Sequence, residues 1–173
     1  MTAPARPTDT VASQTSGNSA APRSPQLYQA SLANALAAAH IADQLRGQNI
    51  AVLDLTAITS IVDFFIIATG TSSRQMHAIA DEVNRKLKHE DGNRRVSIEG
   101  YRTEGNWILV DYGDVVLHVF TPEGRQLYNL EQLWADAPRI DWKSLTADFS
   151  TFRISTELSS PASRCRAGSL TST

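Results

Sequence analysis

The sequence predicts an α/β domain of the α+β kind, a mixed sheet of about five strands flanked by helices, and three observations carry that expectation. Apolar residues recur at helical spacing in three stretches. Five short apolar runs have the length and composition of strands. The resulting order, α-β-β-α-β-β-β-α, holds too few β-α alternations for a doubly wound parallel sheet.

The first helix is expected over residues 26–46, where Leu32, Leu36, Ala39 and Leu45 recur near helical spacing and Gly47 offers a stop. Two buried strands follow at residues 50–55 and 64–68, separated by a connector that contains Thr and Ser. After Gly70, Ser72 and Gln75 spell an S-x-x-Q capping box, and Met76, Ile79, Ala80, Val83 and Leu87 form an apolar stripe, which predicts a long helix over residues 73–89. Asp91-Gly92 is a turn pair that hands the chain to a strand through Val96 and Ile98. Residues 107–120 read as an antiparallel hairpin joined at Tyr112-Gly113, where Gly113 can take φ > 0. Pro122 interrupts, and Leu127, Leu130, Leu133 and Trp134 place a last helix over residues 126–136, with Leu127, Leu130 and Trp134 on its core stripe. No internal repeat is visible.

These elements occupy residues 26–142, one domain of usual size within 173 residues. Residues 1–25 and 143–173 are rich in Ser, Thr, Ala and Pro and poor in periodic apolar residues, so both are expected to be disordered tails. The first tail lacks the apolar core of a secretory signal, and its two arginines, Asp9 and scattered prolines make a poor amphipathic transit helix. No run of eighteen apolar residues is present to span a membrane. Cys165 is the single cysteine, which excludes an internal disulfide and suits a reducing cytoplasm. Between Leu27 and Trp142, ten Lys/Arg stand against fifteen Asp/Glu, a net charge of minus five. An acidic domain is poorly suited to neutralising phosphates, so a basic protein partner fits better than a nucleic acid held by its backbone.

The most enzyme-like feature is Gly70-Thr-Ser-Ser ahead of a helix, together with Asp111 and Asp114 on a later strand. A nucleotidyltransferase sets two carboxylates at alternate strand positions to hold Mg²⁺. Here they stand three apart with a turn at Gly113 between them, so their side chains diverge. The loop lacks phosphate-loop spacing and a nearby lysine, which leaves Ser72 as a helix cap. His77, His89 and His118 fall in no metal-ligand or nucleophile pattern, so neither a metal nor another cofactor is expected, and Cys165 has no neighbouring His.

Three blocks carry a resemblance: DLTAITSIVDFFIIATGTSSRQMHAIADEV from Asp54, WILVDYGDVVLHVF from Trp107, and RQLYNLEQLW from Arg125, with Glu99-Gly100 between the first two. In this order they resemble the Iojap/RsfS family of ribosomal silencing factors. The resemblance implies a domain similar to the nucleotidyltransferase fold without its catalytic residues, and so a protein that is not an enzyme. It implies binding to the large ribosomal subunit through large-subunit ribosomal protein fourteen, which blocks the small subunit and represses translation. It also implies a tendency to form homodimers. The competing reading is a nucleotidyltransferase-like enzyme or nucleotide sensor.

Trp107 opens a strand beside polar residues and shares a strand face with Leu109 and Asp111, so an aromatic next to a carboxylate is expected at a partner surface. Tyr112 adjoins it. Tyr128 and Glu131 stand three apart on the last predicted helix and extend the same surface. His118 alternates with Val116 and Phe120 and reads either as a satisfied core histidine or as a site-facing donor. With the resemblance, the expected partner-binding set is Trp107, Asp111, Tyr112, His118, Tyr128 and Glu131.

Overall fold

Ser24 opens the first helix, its hydroxyl accepting the Leu27 N–H at 3.4 Å, with Pro25 in the first turn where its missing N–H costs nothing. The structure is a computed structural model, and it describes residues 24–89, 95–102 and 105–145. The Asp91-Gly92 turn, Cys165 and nearly all of both predicted tails lie outside the described residues.

Helix α1, Pro25–Gln44, buries Leu32, Ala35, Leu36, Ala38, Ala39 and Ala42, and its alanines let the backbone lie close on the sheet. The predicted stop at Gly47 is corrected: Leu45 caps the helix and Arg46 takes the left-handed turn at φ 64°. Strands β1, Gln48–Asp54, and β2, Phe64–Thr69, pair antiparallel. Helix α2, Ser73–His89, begins at the predicted cap, with Ser72 Oγ accepting the Gln75 N–H at 3.2 Å. The Gln75 side chain reaches one residue beyond the Ser72 N–H that a capping box would engage. Its Oε1 takes the Thr71 N–H at 2.7 Å, and its amide donates to the Leu45 and Arg46 carbonyls at 2.9 and 2.8 Å, joining the start of α2 to the end of α1.

Strands β3, Ser97–Glu99, β4, Trp107–Asp111, and β5, Val115–Phe120, complete a five-stranded sheet of order β1-β2-β5-β4-β3. Among the described residues only the central β2–β5 pair is parallel, so the sheet is mixed, as expected. Gly113 turns the hairpin at φ 90°, as the sequence predicts. Gly100 has φ 73°, and a Cβ there would stand 2.1 Å from the Trp107 carbonyl, so β4 starts tight against this residue.

β5 is buried along its whole length because both sheet faces are covered. On one face Val115, Leu117 and Val119 join Phe64, Ile66, Ile108 and Val110 beneath α1 and α2. On the other, Val116 and Phe120 join Leu53, Leu55 and Ile67 in a smaller cluster. The chain then returns along the outer edge of β1: Asp54 N–H donates to the Pro138 carbonyl and Ile140 N–H to that of Val52, both at 2.9 Å. Trp142 is buried, and a helical turn at residues 142–145 sets Leu145 against the first core, so packing runs three residues past the boundary expected at 142.

The single helix predicted over residues 126–136 is corrected. It is two short helices, α3, Pro122–Tyr128, and α4, Leu130–Leu133, because Asn129 adopts the left-handed conformation at φ 40° and ends the first. Of the predicted core stripe, two residues hold and one does not. Leu127 is 74% exposed, while Leu130 and Trp134 pack on the smaller cluster.

Candidate functional site: an aromatic cluster on the thinly covered sheet face

β4 and β5 lie in register with Trp107 opposite Phe120 and Leu109 opposite His118, so alternate side chains from both strands meet on the face away from α1 and α2. Trp107 stacks on Phe120 with ring centroids 5.1 Å apart, and its indole N–H donates to His118 Nδ1 at 3.2 Å. From β2, Phe65 meets His118 edge-on at 4.6 Å and Trp134 at 5.7 Å. Tyr128, at the end of α3, lies 4.7 Å from Trp107. Gly124 makes that approach feasible, since a Cβ there would sit 2.4 Å from the Asn106 carbonyl and push α3 off the sheet. The cluster thus runs Trp134, Phe65, His118, Trp107, Phe120, Tyr128. Its outer margin is open: Tyr128 is 46% exposed, and Leu127 and Leu133, which adjoin Tyr128 and Trp134 in the chain, are exposed as well.

Four of the six predicted residues take part in or flank this cluster. Trp107 is half-buried, Tyr128 is exposed and His118 lies beneath them at 3% exposure. Burial among rings pushes the His118 pKa down to about 4, so the imidazole is neutral at physiological pH. Asp111 is half-buried on the same strand face as Trp107, where its Oδ1 accepts the Gly113 N–H at 2.7 Å and shapes the turn.

The other two do not join this surface. Tyr112 is corrected to the opposite face: it is 5% exposed in the core beneath α1 and α2, its hydroxyl has no partner among the described residues, and burial raises its pKa. One strand position separates it from Asp111, and that sends its side chain through the sheet. Glu131 is likewise not an open acid. It accepts from Arg125 Nε at 3.2 Å and from Arg125 Nη2, while Arg125 Nη1 donates to Thr69 Oγ1 at 2.8 Å. This shielded pair ties α3, α4 and β2 together, and the break at Asn129 removes the helix face that Tyr128 and Glu131 were expected to share.

Sequence reasoning missed Phe65, Phe120 and Gly124. The signal for the first two was present, since Phe120 alternates with His118, but it needed the β2–β5 register to become a contact. The Gly70-Thr-Ser-Ser loop is accounted for by packing. A Cβ on Gly70 would lie 2.6 Å from Met76 Cγ, and the Ser72 hydroxyl and Gln75 side chain are engaged in capping. Among the described residues, no three His, Cys, Asp or Glu side chains converge on a metal position, and no helix is long and apolar enough to cross a membrane.

A family model described as "Ribosomal silencing factor during starvation" matches residues 28–164. The ribosomal silencing factor RsfS of Halalkalibacterium halodurans is 40% identical over 104 residues, 60% of this chain and 87% of that protein. That of Bacillus subtilis is 43% identical over 104 residues, 60% of this chain and 86% of its own length. A crystal structure of a Chromobacterium violaceum protein superposes with a TM-score of 0.55 at 40% identity, covering 62% of this chain and 86% of that one.

Proposed function

The chain belongs to the ribosomal silencing factor family, and from that premise we propose that it binds the large ribosomal subunit through large-subunit ribosomal protein fourteen and blocks joining of the small subunit. No chemical step is required. A folded body seated on the joining face excludes the other subunit by volume, so potency follows affinity and occupancy. The observation that carries this reading is the aromatic cluster with an open margin on the face that α1 and α2 leave free. Half-buried Trp107 and exposed Tyr128 are the side chains protein interfaces use as anchors, and Asp111, four positions along the same face of β4, suits a basic partner. The acid excess of residues 27–142 favours the same class of partner and steers its approach. The site of action is the cytoplasm, where ribosomal subunits meet, and the same apolar margin at Leu127 and Leu133 gives a second copy a surface on which to pair.

The test is sedimentation. The protein should travel with isolated large subunits and lower the yield of joined ribosomes when small subunits are added. Normal joining at saturating protein overturns the proposal. A rise of several degrees in melting temperature with Mg²⁺ and a nucleoside triphosphate would instead favour the nucleotide-binding reading.

A further inference from the structure

The aromatic cluster contains a polar group that its packing does not need. His118 is 3% exposed among Phe65, Trp107 and Phe120, positions where an apolar side chain would pack without leaving a polar atom unsatisfied. Its ring chemistry is fixed by one neighbour. An indole N–H is a donor only, so His118 Nδ1, 3.2 Å from Trp107 Nε1, holds its lone pair toward the indole. The neutral ring therefore carries its proton on Nε2, and Nε2 is buried with no partner among the described residues. What a histidine supplies here that an apolar side chain would not is its Nδ1 acceptor, at the expense of an orphaned donor. Burial holds the ring neutral, with its pKa pushed down to about 4, so that acceptor persists across the neutral range.

The consequence reaches the surface. Nε1 is the only polar atom of the Trp107 side chain, and it is engaged inward, so the exposed remainder of that side chain is carbon. Resting on the reading that Trp107 belongs to the contact surface, we infer that His118 is a positioning residue. It fixes the Trp107 rotamer through an N–H···N hydrogen bond, and the partner meets a preset apolar and π surface that suits the stem or guanidinium of a cationic side chain. A free indole would lose rotamer freedom on binding and would offer a donor that such a partner cannot use.

The test uses the full chain labelled with ¹⁵N. The coupling transmitted across an N–H···N bond should appear between Trp107 Nε1 and His118 Nδ1, and its absence from the folded protein overturns the inference. His118→Leu should fold with a melting temperature within a few degrees of wild type yet bind large subunits about tenfold more weakly. His118→Asn places an amide oxygen near the Nδ1 position and should restore most of that affinity. A merely structural histidine would lower melting and binding together, with no rescue by Asn, and that result overturns the inference. So does wild-type affinity of His118→Leu where Trp107→Ala binds poorly. If Trp107→Ala itself binds as wild type, the contact-surface reading fails and this inference with it, and a coupling present in the wild-type protein identifies that case.

Discussion

Acidification should destabilise this domain through His118 in a window set by its burial. An unfolded histidine titrates near pH 6.5, whereas burial holds His118 at about 4. Between those values the unfolded chain binds a proton that the folded domain refuses. Stability from this group is therefore complete above about pH 6.5, falls as pH drops, and levels off below about pH 4. The linkage integral gives a loss of ~2 kcal/mol between pH 7 and pH 5, growing to ~3 kcal/mol at pH 4. Other groups titrate in the same range. His77 works in the opposite sense, because backbone carbonyls of Ser73 and Tyr101 at its ring nitrogens raise its pKa and strengthen the fold as pH falls. The assay is therefore a difference: urea unfolding of wild type and His118→Leu at matched pH values from 7.5 to 4.5, subtracting one curve from the other so that shared titrations cancel. Wild type should lose ~2 kcal/mol more than the variant on going from pH 7 to pH 5. Parallel curves would refute the reasoning, since they would mean that His118 protonates as easily folded as unfolded.

Trp107→Ala should weaken large-subunit binding by roughly thirty-fold or more, measured by co-sedimentation, and because the ring packs on Phe120 and Tyr128 it should also lower unfolding free energy by ~1–3 kcal/mol. Asp111→Lys should bind worse than Asp111→Ala, since lysine adds repulsion toward a basic partner where alanine only removes an attraction; equal and normal binding by both moves the contact away from the hairpin. Gly100→Ala places a Cβ against the Trp107 carbonyl at positive φ and should cost ~2 kcal/mol or more in urea unfolding. Arg125→Leu should destabilise by ~2 kcal/mol by stranding Glu131, and adding Glu131→Leu should recover much of the loss; additive losses in the double variant would show that the pair is not coupled.

The family was legible before any coordinates because three blocks of sequence stand in one order, and most of the secondary structure was legible because periodicity is a local property. Helix α2 matches its predicted span because cap, stripe and length agree within one segment. The last helix was misread because its leucine spacing spans Asn129, and spacing alone does not register a residue that takes positive φ. Glu131 read as an open acid because its cation lies six residues away across that break, beyond the reach of any helical pairing rule.

By itself the sequence determined the order of elements up to β5 and the strand face that Trp107 shares with Asp111, which follow from patterns that repeat within a few residues, and the acidity of the domain, which follows from composition. The tertiary structure alone decided that β2 and β5 lie side by side and parallel, that Phe65 thereby meets His118, that Gly124 lets Tyr128 close over Trp107, and that Tyr112 points into the opposite core. Each of those outcomes depends on backbone register or close approach between segments distant in the chain. No local pattern encodes such a contact, because the free energy that selects it comes from packing the whole sheet between its two layers.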